Sequence, residues 1–461
     1  MKHPAAPPDF SKTFHRLTKD PKKLAAVLGH GDGGVGAGSY DHWDKVRFQP
    51  PPVPLTAEEA WAGIKMKRMG ARRPLPFADK AGRPLFFTQI GSSQRALHEI
   101  DSNARGLIGM PGAAANSESR DVYMQKSLVE EPFSSSVLEG AATTREMARK
   151  MIEEGRQPKT IGERMVLNNY RAMSFIREHR HEPLTPARIF ELHRILTIDT
   201  LERPEKVGVF RAAQDDVRVV DSATGETLHA PPTAKELPGR LQALCNFANE
   251  PTNNKSTFLH PVIRAILLHF MLAYDHPFWD GNGRCARALF YWCVLKHGYW
   301  MLEYVSISAV IMRAPVQYGM SFLYCESDEG DLTYFIEHQL RVIEQSLSDL
   351  QNYLVAKTQE LNDLGRALGM LERVLNRRQL AVIQQMLKHP ATKITIAQHR
   401  EANSVSYLTA RADLEALADT KLVNKTKDGA KSVFSAPANF RDRLGVGAKR
   451  KTRPKISLRT P

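Results

Sequence analysis

Apolar residues are almost continuous from Pro261 to Ala273, and they become dense again from Asn282 to His297. A helix that is hydrophobic on every side is typical of the centre of a protein core. The residues between the two stretches include Pro277 and Gly281, which favour a turn. The pattern therefore predicts two buried helices joined by a short loop.

Amphipathic helices are predicted around this pair, because apolar residues recur at spacings of three and four. Such spacings occur at 143–155, 161–179 and 185–196. A shorter helix is predicted near 132–142, with serines near its start and Gly140 at its end. The predicted fold class is therefore mainly α, with a helical core.

Two segments precede these helices. Residues 39–109 interleave aromatic and apolar residues with Pro-rich turns, which predicts a small N-terminal α+β lobe. Residues 1–38 are rich in Pro, Gly and Lys. Their glycine run follows no apolar strand and precedes no Lys-Ser/Thr pair, so it is not a phosphate loop. We predict a flexible segment for 1–38.

Apolar and polar residues alternate with a period of two in the stretch 216–229. This pattern predicts two short β-strands with a turn between Asp221 and Gly225. A single β-hairpin among helices is not stable alone, so it requires a reason. One reason is an exposed edge that accepts an extended peptide by strand addition. The alternative is a hairpin without a function of its own.

The longest periodic run begins at Thr333 and predicts a long helix, whose part from 341 to 375 serves as a linker. Its seam alternates steps of four and three, as in a coiled coil, and Lys357 is its one polar member. Two interpretations remain open: a bundle helix packed within its own chain, or a coiled coil that forms a homo-oligomer. The seam residues are Ile336, Leu340, Ile343, Leu347, Leu350, Leu354, Lys357, Leu361, Leu364, Leu368 and Leu371.

Residues 376–440 are predicted to form three helices followed by a β-hairpin, the pattern of a winged helix-turn-helix domain. Its third helix and hairpin would contact DNA, although many domains of this kind bind only protein. The residues expected at a DNA groove or at phosphates are Ser404, Ser406, Tyr407, Arg411, Lys425, Lys427 and Lys431. Residues 441–461 form a basic tail that would add affinity for phosphate.

Composition limits the class of protein. The 461 residues allow two to four compact units, and 42% hydrophobic with 25% charged residues is ordinary for a globular protein. No apolar run is long enough to span a membrane and no secretory signal is present at the N-terminus, so we predict a cytoplasmic protein with no membrane partner. The four cysteines lack zinc spacing and are expected to be reduced.

The chemistry is concentrated between His276 and Arg287. A helix beginning after Gly281 offers unpaired backbone N–H groups to an anion, and glycines let a ligand approach closely. Arg284 and Arg287 lie three residues apart on one face, which suits more than one phosphate. Asp280 would be repelled by phosphates unless a cation lay between them, which implies Mg²⁺. His276 can be neutral and accept a proton.

The sequence HPFWDGNGR at 276–284, followed by Arg287, resembles the Fic domain signature HPFx(D/E)GNGRxxR without departing from a fixed position. The resemblance runs from about Glu131 to Leu340 and predicts a Fic domain at 110–340. It implies a helical core with a β-hairpin flap. It also implies transfer of AMP from ATP, with Mg²⁺, to a Ser, Thr or Tyr hydroxyl of a target protein.

The resemblance also implies roles for individual residues. His276 would be the catalytic base and Asp280 the Mg²⁺ ligand. The anion-binding loop and the phosphate clamps would be Gly281, Asn282, Gly283, Arg284 and Arg287. The flap that aligns the target would comprise Val217, Arg218, Val219, Thr227 and Leu228.

A second motif lies upstream, where Ser135-Ser-Val-Leu-Glu139-Gly140 resembles the inhibitory sequence (S/T)xxxE(G/N) of the N-terminally inhibited class. A carboxylate from Glu139 that pairs bidentately with Arg287 would remove the partner of the γ-phosphate. The alternative is a solvated or helix-capping glutamate.

Two other functions remain open at this point. The same site could remove AMP from a modified hydroxyl, with Glu139 orienting a water. The protein could also be a DNA-binding regulator in which the Fic domain senses a nucleotide.

Overall fold

The computed structural model describes residues 1–29, 31–36, 39–105, 128–221, 223–251, 258–389, 391–429 and 431–444. These residues divide into two compact units, of which the first ends at Gln351 and the second begins at Asn352. Most of the regular structure is helical, so the predicted fold class is confirmed. None of the described helices is both long and apolar enough to cross a membrane.

The first unit is built around the two buried helices predicted above. They span Pro261–Asp275 and Asn282–Lys296, and nearly every residue of both is buried. The surrounding helices are Glu130–Leu138, Arg145–Glu153, Ile161–Glu178, Pro186–Thr197, Leu237–Asn249, Ile307–Ile311 and Pro315–Ser327. Threonine caps begin several of them: Thr185, for example, accepts a hydrogen bond from the Arg188 N–H, with a proline next in sequence.

The predicted N-terminal lobe contains three helices and a two-stranded antiparallel sheet. The strands are Arg72–Ala78 and Pro84–Thr88, and Arg73 lies opposite Phe87. The helices are Trp43–Val46, Ala57–Met69 and Gly91–Ala104. The predicted boundary at 109/110 lies outside the described residues.

The prediction of a flexible segment at 1–38 is wrong for much of its length. Helices span Phe10–Leu17 and Pro21–Gly29. Leu17 and Val27 are buried against the helix Ala57–Met69 of the lobe. The prediction relied on the Pro- and Gly-rich composition and overlooked the spacing of the apolar residues that pack here. Residues 30, 37 and 38 of the glycine run lie outside the described residues.

The predicted hairpin is present but shorter than its sequence pattern. Its strands are Val219–Val220 and Thr227–His229, paired antiparallel. Asp221 closes the turn, because its backbone N–H donates to the Glu226 carbonyl and its own carbonyl accepts from the Gly225 N–H. Short 3₁₀ helices flank it at Ala213–Asp215 and Ala234–Glu236.

The long helix spans Thr333–Leu371. The seam from Ile336 to Leu350 is buried within the first unit. Beyond Asn352, three later seam leucines pack against the core of the second unit, namely Leu364, Leu368 and Leu371. Residues at both ends of the seam thus pack within the chain. The side chains of Lys357 and Leu361 lie outside the described residues.

The second unit has its own core, in which Ile383, Leu414, Leu417 and Phe434 are fully buried. Its helices are Arg377–Lys388, Ile396–Asn403, Tyr407–Asp419 and Phe440–Arg443. Its three strands, Lys393–Thr395, Asn424–Asp428 and Lys431–Ser435, form one sheet with Lys431–Ser435 in the centre. The basic tail beyond residue 444 lies outside the described residues.

Candidate active site

His276 ends the first central helix in a left-handed conformation, with φ of 47°. Its backbone N–H donates to the Leu272 carbonyl at 3.0 Å, and its carbonyl accepts a 2.7 Å hydrogen bond from Arg211 Nε. These contacts turn the chain sharply out of the helix. They therefore hold the imidazole at the end of the helix instead of within it.

The geometry also fixes which nitrogen of His276 can act as a base. Nδ1 lies 3.1 Å from the Ala273 carbonyl, which can only accept, so Nδ1 carries the proton of the neutral ring. Burial lowers the pKa of His276 to about 4 and outweighs the opposing effects of the Ala273 carbonyl and the Glu139 charge. The ring is therefore neutral near pH 7, with Nε2 free to accept a proton.

Asn282 closes the loop. Its Nδ2 donates to the Phe278 carbonyl and its Oδ1 accepts from the Phe278 N–H, both at 2.9 Å. Phe278 is fully buried beneath the loop. Asn282 was expected among the anion-binding groups, and in the structure its side chain fixes the shape of the loop.

Two positions of the loop require glycine because neighbouring side chains approach the backbone closely there. Gly281 has φ of +81°, and a Cβ there would lie 2.7 Å from Thr197 Cγ2. A Cβ at Gly283 would lie 2.1 Å from Glu139 Oε1 and 3.0 Å from Arg287 Nη1. The first glycine permits the turn, and the second leaves space for a carboxylate beside an arginine.

Arg284 and Asp280 lie one helical turn apart, with Arg284 Nη2 3.6 Å from Asp280 Oδ2. Arg284 is buried, and Nη1 donates to the Leu196 carbonyl at 3.2 Å. Within the described part of the chain its buried Nε has no hydrogen-bond partner. Asp280 is half exposed and accepts from the Gly281 N–H at 2.6 Å. Its Oδ2 therefore lies beside the Arg284 guanidinium on a half-exposed carboxylate.

Asp280 offers one hard oxygen ligand, and the described residues contain no group of three or more candidate metal ligands. Mg²⁺ commonly binds one or two carboxylates and takes its other ligands from water and phosphates. The residues present therefore fit a cation that arrives with a nucleotide, and they do not fit a metal held by protein alone.

Arg287 is buried and is bound by the upstream helix Glu130–Leu138. Nε donates to Ser135 Oγ at 2.9 Å, and Nη2 donates to the Ser135 carbonyl at 3.0 Å and to Glu139 Oε1 at 2.8 Å. The expected bidentate pairing with Glu139 is wrong, since one carboxylate oxygen makes the contact. Ser135 accepts from Nε through its hydroxyl and from Nη2 through its carbonyl.

Charge compensation at this pair is strong. Burial disfavours the Glu139 carboxylate, but the charges of Arg287 and Arg284 outweigh burial and hold its pKa below the ordinary value. Burial likewise opposes the charge of Arg287, and Glu139 outweighs it, so the pKa of Arg287 is raised. Both groups are charged at neutral pH and attract each other in a poorly solvated site.

A cavity of about 230 Å³ connects these groups. His276, Gly283, Arg287 and Glu139 all line it. The other lining residues are Met1, Val219, Leu228, His229, Ala273, Tyr274, Tyr318, Gly319, Phe322, Leu323 and Glu326. His276, Arg287 and Glu139 therefore share one cavity.

Five residues were predicted for the flap, and they divide by position. Val219 and Leu228 line the cavity, while Thr227 lies in the same strand as Leu228. Val217 and Arg218 precede the first strand; Arg218 is exposed and donates to Asp216 at 2.9 Å. The structure thus brings two of the five to the site.

Residues 183–294 match the family model described as Fic/DOC family. The chain contains a Fic domain. The match covers the loop 276–287 and the hairpin. It begins downstream of Glu139, so it does not bear on the inhibitory motif.

Several curated relatives carry the name Protein adenylyltransferase Fic. The one from Nematostella vectensis is 26% identical over 260 residues, 55% of this chain and 55% of the relative. The one from Aedes aegypti is 29% identical over 172 residues, 37% of this chain and 30% of the relative. The chain thus spans about half the length of the first relative and less of the second.

The fold around the Fic domain also resembles a solved structure. A Fic family protein from Desulfovibrio desulfuricans G20 superposes with a TM-score of 0.50 and 16% sequence identity, covering 74% of this chain and 96% of that chain. At this identity the comparison concerns the fold alone.

Several residues of the Fic domain site were missed by sequence reasoning. His193 and Arg211 hold the backbone of the loop at 280 and 276, and His229 lines the cavity. Glu131 anchors the upstream helix. His193 carried a weak signal, a histidine between apolar residues of an amphipathic helix; the others had none.

Proposed function

We propose that the Fic domain transfers AMP from ATP to a Ser, Thr or Tyr hydroxyl of a target protein, and that Glu139 restrains this transfer. The observation that carries the proposal is the shared cavity. In it a neutral His276, with Nε2 free, lies beside the guanidinium of Arg287 and the carboxylate that occupies that guanidinium.

In the proposed reaction the target hydroxyl oxygen attacks the α-phosphorus of ATP. The bond from that phosphorus to the bridging oxygen of the β-phosphate breaks, and pyrophosphate leaves. The hydroxyl proton passes to Nε2 of His276, which is the unprotonated nitrogen of the ring. The hairpin residues Val219 and Leu228, on the wall of the same cavity, would align the target segment.

Arg284 and Arg287 would bind the phosphates, and their positive charge would stabilise the charge that develops on the leaving pyrophosphate. Asp280 would hold Mg²⁺, which when bound supplies further positive charge beside the phosphates. The buried Arg284 Nε that lacks a partner within the described residues supports a ligand at this point.

Restraint follows from competition for Arg287. A γ-phosphate needs the donors that now bind Glu139 and Ser135. Displacing the carboxylate leaves it unpaired beside an incoming polyanion, which is unfavourable. ATP would therefore bind with its phosphates in a pose that does not expose the α-phosphorus to the hydroxyl.

The test is incorporation of label from ATP carrying ³²P at the α-position, into the protein itself and into a cell lysate. We expect Glu139→Gly to raise incorporation at least about tenfold over the parent protein, and a second change, His276→Ala, to abolish it. Equal labelling by all three proteins would reject the proposal.

Glu154→Gly is a matched control. Glu154, like Glu139, is the C-terminal cap of its helix and precedes a glycine, but it is exposed and outside the cavity. Its replacement should leave labelling at the parent level. An increase equal to that of Glu139→Gly would attribute the effect to helix loosening.

The reverse chemistry is an alternative supported by one observation. Glu139 lines the cavity together with His276, so its carboxylate could orient a water toward an AMP-modified hydroxyl. The assay is release of AMP from a protein labelled beforehand by the Glu139→Gly variant. Release by the parent protein and none by Glu139→Gly would favour hydrolysis.

We also propose that the second unit is a winged helix-turn-helix domain that binds DNA. The helices Ile396–Asn403 and Tyr407–Asp419 are joined by a short turn, and the exposed edge strand Asn424–Asp428 carries Lys425 and Lys427. Two large apolar side chains at the start of the second helix, Tyr407 and Leu408, are 51% and 75% exposed. This exposure suits a surface that meets a partner.

Fluorescence anisotropy with a 30-base-pair duplex of mixed sequence tests this function in the full chain. Lys427→Ala and Lys431→Ala together should weaken binding and reduce the slope of log affinity against log salt by about two. Lys388→Ala, at the end of another helix, is the control. Absence of binding at low salt would favour a protein partner instead.

A further inference from the structure

We propose that His193 is a positioning residue of the Fic domain, which sets the carboxylate of Asp280 for Mg²⁺. This inference rests on the proposed function, because the cation is the one expected with ATP. His193 lies in the helix Pro186–Thr197, 87 residues before Asp280, and is fully buried.

Both ring nitrogens of His193 are used, and their roles follow from the partners. The Gly208 backbone N–H donates to Nδ1 at 3.0 Å, so Nδ1 is the unprotonated nitrogen. Nε2 therefore carries the proton and donates it to the Asp280 carbonyl at 2.8 Å. One tautomer is selected, as in the second shell of metal sites.

The ring also packs flat against the loop. Its centroid lies 3.8 Å from that of Phe278, with an angle of 9° between the planes. The stacking and the two hydrogen bonds together hold the ring in one orientation and in one tautomer.

The hydrogen bond to the Asp280 carbonyl fixes the loop between two other constrained points. Asn282 fixes the Phe278 backbone on one side, and Gly281, with φ of +81°, reverses the chain on the other. The carboxylate of Asp280 is half exposed and its backbone is bound by His193. The carboxylate itself accepts from the Gly281 N–H and lies beside Arg284, and His193 holds the backbone from which it projects.

The experiment compares three substitutions in the full chain, each combined with Glu139→Gly. His193→Phe keeps a ring against Phe278 and removes both hydrogen bonds. His193→Gln can reproduce the donor at the Nε2 position, whereas His193→Asn can reproduce only the acceptor at the Nδ1 position. The two amides have similar polarity, so they separate the bond to Asp280 from general burial.

The direct readout is binding of Mn²⁺, a paramagnetic substitute for Mg²⁺, to protein saturated with the α,β-methylene analogue of ATP, followed by electron paramagnetic resonance. We expect His193→Phe and His193→Asn to weaken Mn²⁺ binding about tenfold or more, and His193→Gln to remain within about threefold of its parent. The Mg²⁺ concentration that half-saturates AMP transfer should shift in the same order.

Thermal unfolding separates positioning from stability. His399→Phe removes a buried imidazole from the second unit and should lower thermal stability without changing Mn²⁺ binding.

Two outcomes would overturn the inference. One is that folded His193→Phe binds Mn²⁺ as tightly as its parent, and the other is that His193→Gln and His193→Asn weaken Mn²⁺ binding equally. Lack of AMP transfer by every protein would overturn the proposed function, while the Mn²⁺ measurement would still decide the role of His193.

Discussion

Arg287 Nη2 donates to Glu139 Oε1 at 2.8 Å, although 148 residues separate the two along the chain. The same guanidinium donates to both oxygens of Ser135, so the upstream helix binds it through three contacts. Gly283 makes the approach possible, because any side chain there would collide with the carboxylate. The restraint that we propose therefore depends on the position of the whole helix as well as on one ion pair.

Ser135→Ala should relieve the restraint in part. The change removes the hydroxyl that accepts from Arg287 Nε at 2.9 Å and leaves the carbonyl and Glu139 contacts in place. A hydrogen bond to a charged group contributes about 1.5–3 kcal/mol, so we expect labelling between those of the parent and Glu139→Gly. Labelling from α-³²P ATP measures it.

Ser134→Ala is the control for this change. Ser134 is equally buried in the same helix but lies 3.2 Å from Glu130 Oε1 and is not bound to Arg287. An equal rise in both variants would indicate a loosened helix and would contradict the role given to Ser135.

AMP transfer should be nearly independent of pH between 8 and 6. The pKa of His276 is lowered to about 4 by burial, so the base stays neutral throughout this range and is lost only as the pH approaches 4. An ordinary histidine, with a pKa of about 6.5, would lose roughly tenfold in rate by pH 5.5. Initial rates of Glu139→Gly give kcat/KM for the target as a function of pH.

The Glu139→Gly background does not weaken this expectation. The Glu139 charge raises the pKa of His276, so loss of that charge acts to lower the pKa. Circular dichroism at each pH separates loss of the base from unfolding. A tenfold fall in kcat/KM between pH 7 and 5.5, with the fold intact, would contradict the assignment of a buried neutral base.

Local motifs were predictable because their chemistry is contiguous. His276, Asp280 and Arg284 lie within nine residues, and the sequence pattern put them at the break between two helices. The two central helices were equally clear, since a long and nearly continuous apolar stretch is typical of a helix buried on every side. Their observed bounds differ from the predicted ones by at most two residues.

Contacts between distant segments were not predictable in this way. His193 contacts Asp280, and Arg211 contacts His276, only after the chain has folded. The separation of these residues along the sequence does not indicate either contact. The helix Phe10–Leu17 was missed because the Pro- and Gly-rich composition of residues 1–38 was given more weight than the helical spacing of a few apolar residues. The link between Glu139 and Arg287 was predicted from the resemblance of residues 135–140 to the inhibitory motif, and not from periodicity.

Asp413 should stabilise the second unit in a pH-dependent manner. It accepts from Asn376 Nδ2 and Arg378 Nε, each at 2.7 Å, and lies 3.3 Å from His399 Nε2. Burial opposes its charge, but these hydrogen bonds outweigh burial and hold its pKa below the ordinary value. The stabilisation is therefore present above the unfolded pKa of about 3.9 and is lost as the pH falls through the folded value.

Asp413→Asn should lower the free energy of unfolding of the second unit by about 1–3 kcal/mol at pH 7 and by less at pH 3. Calorimetry of the full chain at both pH values measures this. Asp419→Asn, at an exposed position of the same helix, is the control. A loss that is equal at the two pH values would contradict the linkage.

Glu131 anchors the upstream helix at its other end. Its carboxylate is buried and accepts from Ser306 Oγ at 2.7 Å, from Ser308 N–H at 3.1 Å and from Ser308 Oγ at 2.6 Å. Burial raises the pKa of Glu131 and outweighs these hydrogen bonds. Glutamine has nearly the same shape as glutamate and keeps an oxygen that can accept from Ser306 and Ser308, so Glu131→Gln can keep the anchor, whereas Glu131→Ala removes it.

Glu131→Ala should therefore destabilise the protein by about 2–4 kcal/mol, because it leaves buried donors unpaired, and should raise AMP transfer by freeing the helix that carries Glu139. Glu131→Gln should change neither quantity strongly. Thermal unfolding and α-³²P labelling measure the two effects. In combination with Glu139→Gly, the alanine change should add little labelling, since both act on the same restraint. Full additivity would mean that Glu131 influences transfer by a route that does not pass through Glu139.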